Sequence, residues 1–143
     1  MTKPDELPPW LLAHVQKCRD AFGIGGEWPI TIDLQDVVDG DPTYHGSAAV
    51  NYQNLHAALT FRRDLDPADD GYWTVTHECL HAAQHPQYAA IHRILELVPK
   101  PLRKHARALW QDGNERYIET MARSLSPLIQ AMEHPPTEAD DAE

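Results

Sequence analysis

The chain has 143 residues, and 12 Lys+Arg against 22 Asp+Glu give it a formal charge of −10. With 42% apolar and 24% charged residues it has the balance of a globular protein, and a chain of this size buries roughly 68–70% of its unfolded surface. The acidic balance argues against a phosphate-backbone binder, and no apolar run approaches the ~20 residues of a membrane span; neither nucleic acid nor membrane is expected as a partner.

The first residues, Met1 to Glu6, lack the apolar stretch of a signal peptide. Two cysteines, Cys18 and Cys79, are too few for a disulfide scaffold. A cytoplasmic protein with reduced thiols is expected, with one domain over residues 1–134. Residues 135–143 contain four acids and no base, and read as a disordered tail.

Pro8 to Phe22 places Trp10, Leu11, Val15, Cys18 and Phe22 at helical spacing, with a proline suited to the first turn and Gly23 to the end. Ile30, Ile32 and Leu34 then alternate with Thr31 and Asp33, the period of a half-buried strand. Asp39-Gly40-Asp41-Pro42 is turn chemistry. A second strand is expected within Tyr44 to Tyr52, weakened by Gly46, and a third over His56 to Arg63, with Ala57, Leu59 and Phe61 on one face. The expected sheet has about three strands, mostly antiparallel.

After Asp66 to Asp70 the period turns helical, with Asp69 or Asp70 as the cap. A helix from about Gly71 to His85 should stop at Pro86. Ile91, Ile94, Leu95 and Val98 mark a second, ended by Pro99 and Pro101. Leu102 to Met132 is helical again, with a break expected at Asp112-Gly113-Asn114 and a kink at Pro127. The class is α+β: an N-terminal helix, a small sheet, then C-terminal helices.

The chemistry centres on His77-Glu78-Cys79-Leu80-His81. Histidines four apart lie one above the other on a helix, so both imidazoles can reach one ion at 2.0–2.1 Å. Glu78 lies about 100° round the helix, beside such an ion rather than on it, where it can take a proton from an activated water. Nine histidines and nine glutamates in 143 positions produce this string by chance with a frequency of roughly 0.03, before helical context is required. Cys79 points away from the Glu–His face and reads as a buried small apolar residue.

A catalytic zinc site needs a third protein ligand. A histidine six residues past His81 is missing, since position 87 is Gln. His85 lies on the same straight helix and cannot close on the ion with both others, while His92 would require a sharp return of the chain. Pro86 could permit that return, so His92 stays a minor option, and Glu115 and Glu119 are the stronger candidates. They are four apart, and two like charges on one helical face are mutually unfavourable unless a cation lies nearby. Each also has an ordinary helical role, Glu119 pairing with Arg123 and Glu115 favouring the positive end of a helix starting at Asn114.

His77-Glu78-Cys79-Leu80-His81 followed by Glu119-Thr120-Met121-Ala122 resembles the gluzincin group of zinc metallopeptidases, in which a later helix supplies a glutamate ligand, often as Glu-x-x-Ala. The order of helix, sheet, H-E-x-x-H helix and glutamate helix is similar to a minimal zincin core over about residues 30–125. The resemblance implies Zn²⁺ held by His77, His81 and Glu119, with Glu115 the alternative one turn away, and Glu78 as general base in peptide-bond hydrolysis. It also implies a peptide or protein substrate laid along an edge strand, for which His56–Arg63 is the matching element. Tyr88, His92, His105 and Tyr117 are the candidates for stabilising a developing oxyanion. Two other classes fit the composition: a zinc-stabilised, non-catalytic protein-binding module, and a metal-free acidic interaction protein.

Overall fold

A computed structural model of the chain describes residues 2–24, 28–51 and 56–132. The tail expected over 135–143 lies outside the described residues, as does the side chain of His85. Helix α1 (Pro9–Phe22) is followed by strands β1 (Ile30–Gln35), β2 (Gly46–Asn51) and β3 (His56–Arg62). Helices α2 (Gly71–Ala83), α3 (His85–Glu96) and α4 (Lys100–Gln130) complete it. The class is α+β, as the periodicities predict.

The three strands form one mixed sheet in the order β1-β3-β2, with β1 parallel and β2 antiparallel to β3. The mostly antiparallel expectation fails at β1. The chain enters β3 from the β2 side, yet β3 lies between its two predecessors and runs with the first. Its cross-strand partners put Ile30, Ile32 and Leu34 level with Ala57, Leu59 and Phe61. That shared face buries against the helices. Leu11, Val15 and Cys18 of α1, Leu34, Leu59 and Phe61 of the sheet, Val75 and Cys79 of α2, and Ile129 of α4 make the principal core.

Helix α1 starts on Pro9 and ends at Gly23 in the left-handed conformation (φ +68°), as a chain reversal there requires. The start of α2 differs from expectation. Asp70 occupies the cap position without a side-chain cap bond. Asp66 organises the turn instead: its carboxylate accepts from Ala68 N–H at 2.8 Å, and its carbonyl from Gly71 N–H at 2.9 Å. A Cβ on Gly71 would lie 2.5 Å from that carbonyl oxygen, so the turn demands glycine. Pro86 opens α3 rather than merely ending α2, consistent with proline in a first turn.

The expected break at Asp112-Gly113-Asn114 is absent, because α4 runs 31 residues through both Gly113 and Pro127. Its buried positions, Ile118, Ala122, Ser126 and Ile129, form one stripe against the body. A single glycine costs only about 1 kcal/mol in a helix, which packing of the C-terminal half outweighs. A buried hydrogen bond of 2.8 Å from His14 Nε2 to Thr76 Oγ1 ties α1 to α2, next to Cys18 and Cys79, both fully buried and unbridged.

Candidate metal centre

Helix α2 turns Val75, Cys79 and Ala82 into the core, which leaves His77, Glu78 and His81 facing an open cleft. Helix α4 crosses this face. At 100° per residue, Ile118, Ala122, Ser126 and Ile129 occupy an arc of about 80°, and position 115 falls inside it. Glu119 sits at the margin. The stripe that packs α4 on the body therefore carries Glu115 onto the two histidines.

Three donor atoms converge there. Glu115 Oε1 lies 2.7 Å from His77 Nε2, Glu115 Oε2 lies 3.1 Å from His81 Nε2, and the two Nε2 atoms are 3.2 Å apart. Tetrahedral zinc ligands 2.0–2.1 Å from the ion stand roughly 3.3 Å from each other. The group therefore needs only a few tenths of an ångström of expansion to enclose an ion, and its donors could hold one. His77 is buried, His81 half-buried, and the Glu115 side chain 55% exposed. Glu119 stands outside the group, its Oε1 accepting from Arg123 at 2.9 Å, though it lines the same cleft.

The electrostatics follow from the geometry. The His77 and His81 bonds hold the Glu115 carboxyl well below the usual carboxylate range. Burial disfavours a charged His77, but the Glu115 bond and the charges of Glu78, Glu115 and Glu119 outweigh it and raise its pKa. Burial also raises the pKa of Glu78, against the pull of His77 and His81. A carboxyl poised above its ordinary value suits proton transfer near neutrality. His77 Nδ1 is buried with no hydrogen-bond partner among the described residues.

The cleft measures about 1040 Å³. One wall is β2 with Tyr44 and His45 before it; the other carries Tyr88, Trp110, Asp112 and Asn114. The Arg62 N–H donates to the His45 carbonyl at 2.9 Å, which fixes the phase of the β2–β3 ladder. Residues 47, 49 and 51 then bond β3, and residues 46, 48 and 50 turn their N–H and C=O groups to the open edge. The expectation of an edge strand at His56–Arg63 is corrected: β3 is the central strand, with its backbone groups committed on both sides. The edge beside the two histidines belongs to β2.

Gly46, read from sequence only as a weak point in the strand, has a specific position. A Cβ there would lie 2.9 Å from Phe61 Cδ1 and 3.1 Å from both Glu78 Cγ and Thr74 Cγ2. Backbone and the Glu78 side chain meet at that point with no room for a methyl group. Trp73, its ring 5.2 Å from that of His77, and Trp110 belong to the cleft. Of the four oxyanion candidates, Tyr88 alone lines the cleft. His92 instead packs on Tyr88 at 4.6 Å, away from the donor group. No protein-family model matches this chain, and no curated protein or solved structure matches it.

Proposed function

We infer that this chain is a zinc-dependent metallopeptidase of gluzincin type built on a minimal zincin core. The observation that carries this reading is the convergence of His77, His81 and Glu115 at 2.7–3.2 Å beside a buried Glu78, on the floor of a cleft open to one free strand edge. Two imidazoles and one carboxylate suit zinc and leave its fourth position for water. Glu115, rather than Glu119, takes the third place.

Bound zinc would supply a Lewis acid that polarises the scissile carbonyl and makes water acidic enough to attack near neutral pH. Glu78 takes the proton from that water and passes it to the leaving amine. Its burial raises its pKa above the ordinary carboxylate value, the direction that favours holding the proton between the two transfers. Glu119 stays outside the ligand set: one of its oxygens is engaged by Arg123, and its charge acts on His77 only through space. The substrate backbone adds to the free edge of β2 through residues 46, 48 and 50, which holds an extended chain across the site.

The test is Glu78→Gln assayed on unfolded proteins and a peptide library. Zinc should stay bound while hydrolysis falls by roughly 10²–10⁴-fold, the usual contribution of a general base. An active zinc protein whose rate is unchanged by this substitution contradicts the mechanism. Zinc bound to the unaltered chain with no turnover on any peptide assigns it instead to a non-catalytic binding module.

A further inference from the structure

The charge of this acidic chain is unevenly placed. Residues 85–111 carry Arg93, Lys100, Arg103, Lys104 and Arg107 against the single acid Glu96, a net +4, which leaves −14 on the rest. These residues form a helical hairpin from α3 and the first half of α4, and among its described side chains Leu95 alone is buried. At its tip the large apolar side chains face outward: Leu97 is 84% exposed, Leu102 59% and Ile94 58%.

The tip is held in this form. Arg103 Nη2 donates to the carbonyls of Glu96 at 2.8 Å and Val98 at 3.2 Å, closing the end of α3. Leu97 N–H bonds the Ile94 carbonyl at 3.0 Å and Leu102 N–H the Pro99 carbonyl at 2.9 Å. Pro99 and Pro101 stiffen the turn further. Leu97 therefore stands out from a braced turn. Arg93, Lys100, Lys104 and Arg107 make no ion pair among the described residues.

We propose that this hairpin tip docks the protein peripherally on an anionic lipid surface, with Ile94, Leu97 and Leu102 inserted and the surrounding cations on the headgroups. The surface matches the tip in both layers, phosphate-bearing outside and apolar beneath. A nucleic-acid duplex would satisfy the cations but has no apolar layer for three exposed aliphatic side chains. Peripheral docking needs no spanning helix, and none of the described helices is long and apolar enough to cross a membrane. At the Lys100 end of the tip the acidic body opposes it only weakly. Asp112, the first acid on α4, lies 12 residues beyond Lys100, about 18 Å along the helix at 1.5 Å per residue. That exceeds two screening lengths of about 8 Å at physiological salt. Tyr88 and Trp110, at the far end of the same hairpin, line the cleft, so docking would hold the cleft about 15 Å from the headgroups.

The experiment is flotation of the full chain with vesicles of neutral phosphatidylcholine, or of the same lipid with 30 mol% phosphatidylglycerol. Binding is expected to the anionic vesicles only, and to weaken with salt. Leu97→Ser should weaken it roughly tenfold through lost insertion, and the pair Lys100→Glu with Lys104→Glu roughly 25-fold or more, about fivefold for each cation. All three positions are solvent-exposed, and an unchanged melting temperature establishes that the variants fold. Failure to bind anionic vesicles at low salt overturns the proposal. So does binding that ignores Leu97→Ser, or a preference for a 20-base-pair DNA duplex over the vesicles. None of these outcomes bears on the peptidase reading, which is assayed on soluble peptides.

Discussion

Glu115 and Glu119 differ by one helical turn, yet only Glu115 reaches the histidines. The Glu-x-x-Ala resemblance points to Glu119, whereas the packing of α4 selects Glu115. The selecting signal is present in the sequence: Ile118, Ala122, Ser126 and Ile129 recur on an arc of about 80° that includes position 115. It is usable only once α4 is known to be continuous, and Gly113 argues locally against continuity. Gly46 was illegible for a different reason, since its role is to leave space for the side chain of Glu78, 32 residues away in the chain. Gly46→Ala should displace Glu78 or Phe61, destabilise the protein by about 1–3 kcal/mol as overpacking does, and reduce hydrolysis more than folding. Denaturant unfolding and rate measurements on the same sample check this; a fully active variant of native stability would show that the strand yields instead.

Among the elements, the apolar period set both the type and the facing of α1, α2, β1 and β3, and it placed Ala57, Leu59 and Phe61 on the buried side. It could not give strand order, because pairing partners are fixed by packing between distant segments rather than by alternation within one. Local turn chemistry misled at α4, where long-range burial overrides a Gly-containing triplet. Since a Cβ at Gly113 would meet nothing within 4 Å, Gly113→Ala should stabilise the protein by about 0.5–1 kcal/mol, read as a raised melting temperature. A destabilised variant would mean that α4 bends at this point. The outer edge of β1 is closed differently from that of β2. Thr2 N–H and Oγ1–H both donate to Asp33 Oδ1 at 2.7 Å, and Leu34 N–H donates to Thr2 Oγ1 at 2.9 Å. The Thr2 bonds lower the Asp33 pKa to about 2. A carboxyl depressed by folding contributes stability above its unfolded value, near 3.9, and loses it as the pH falls through its folded one. Thr2→Ala should therefore lower the melting temperature at pH 6, with the difference from the unaltered chain shrinking between pH 4 and pH 2. A difference independent of pH would remove Asp33 from this account.

For the molecule as a whole, sheet and helices meet so that one strand edge, one H-E-x-x-H helix and one crossing helix border a single cleft. The H-E-x-x-H string and its helical context were legible because both histidines come from one local element. The convergence of Glu115 on them, the open edge of β2 and the aromatic wall of Tyr88 and Trp110 were not, since each depends on how separate elements cross. The charge segregation shows the same limit, as a net charge of −10 conceals a cationic hairpin that only the fold displays as a projecting tip.

In the function proposed above, His77, His81 and Glu115 hold one zinc ion. Elemental analysis of purified chain, after removal of loosely bound ions, tests it directly when made on the unaltered chain, Glu115→Ala and Glu119→Ala together. About one zinc per chain is expected in the first, with loss in Glu115→Ala and retention in Glu119→Ala. No zinc in the unaltered chain and none taken up on titration, or loss in Glu119→Ala with retention in Glu115→Ala, would contradict it.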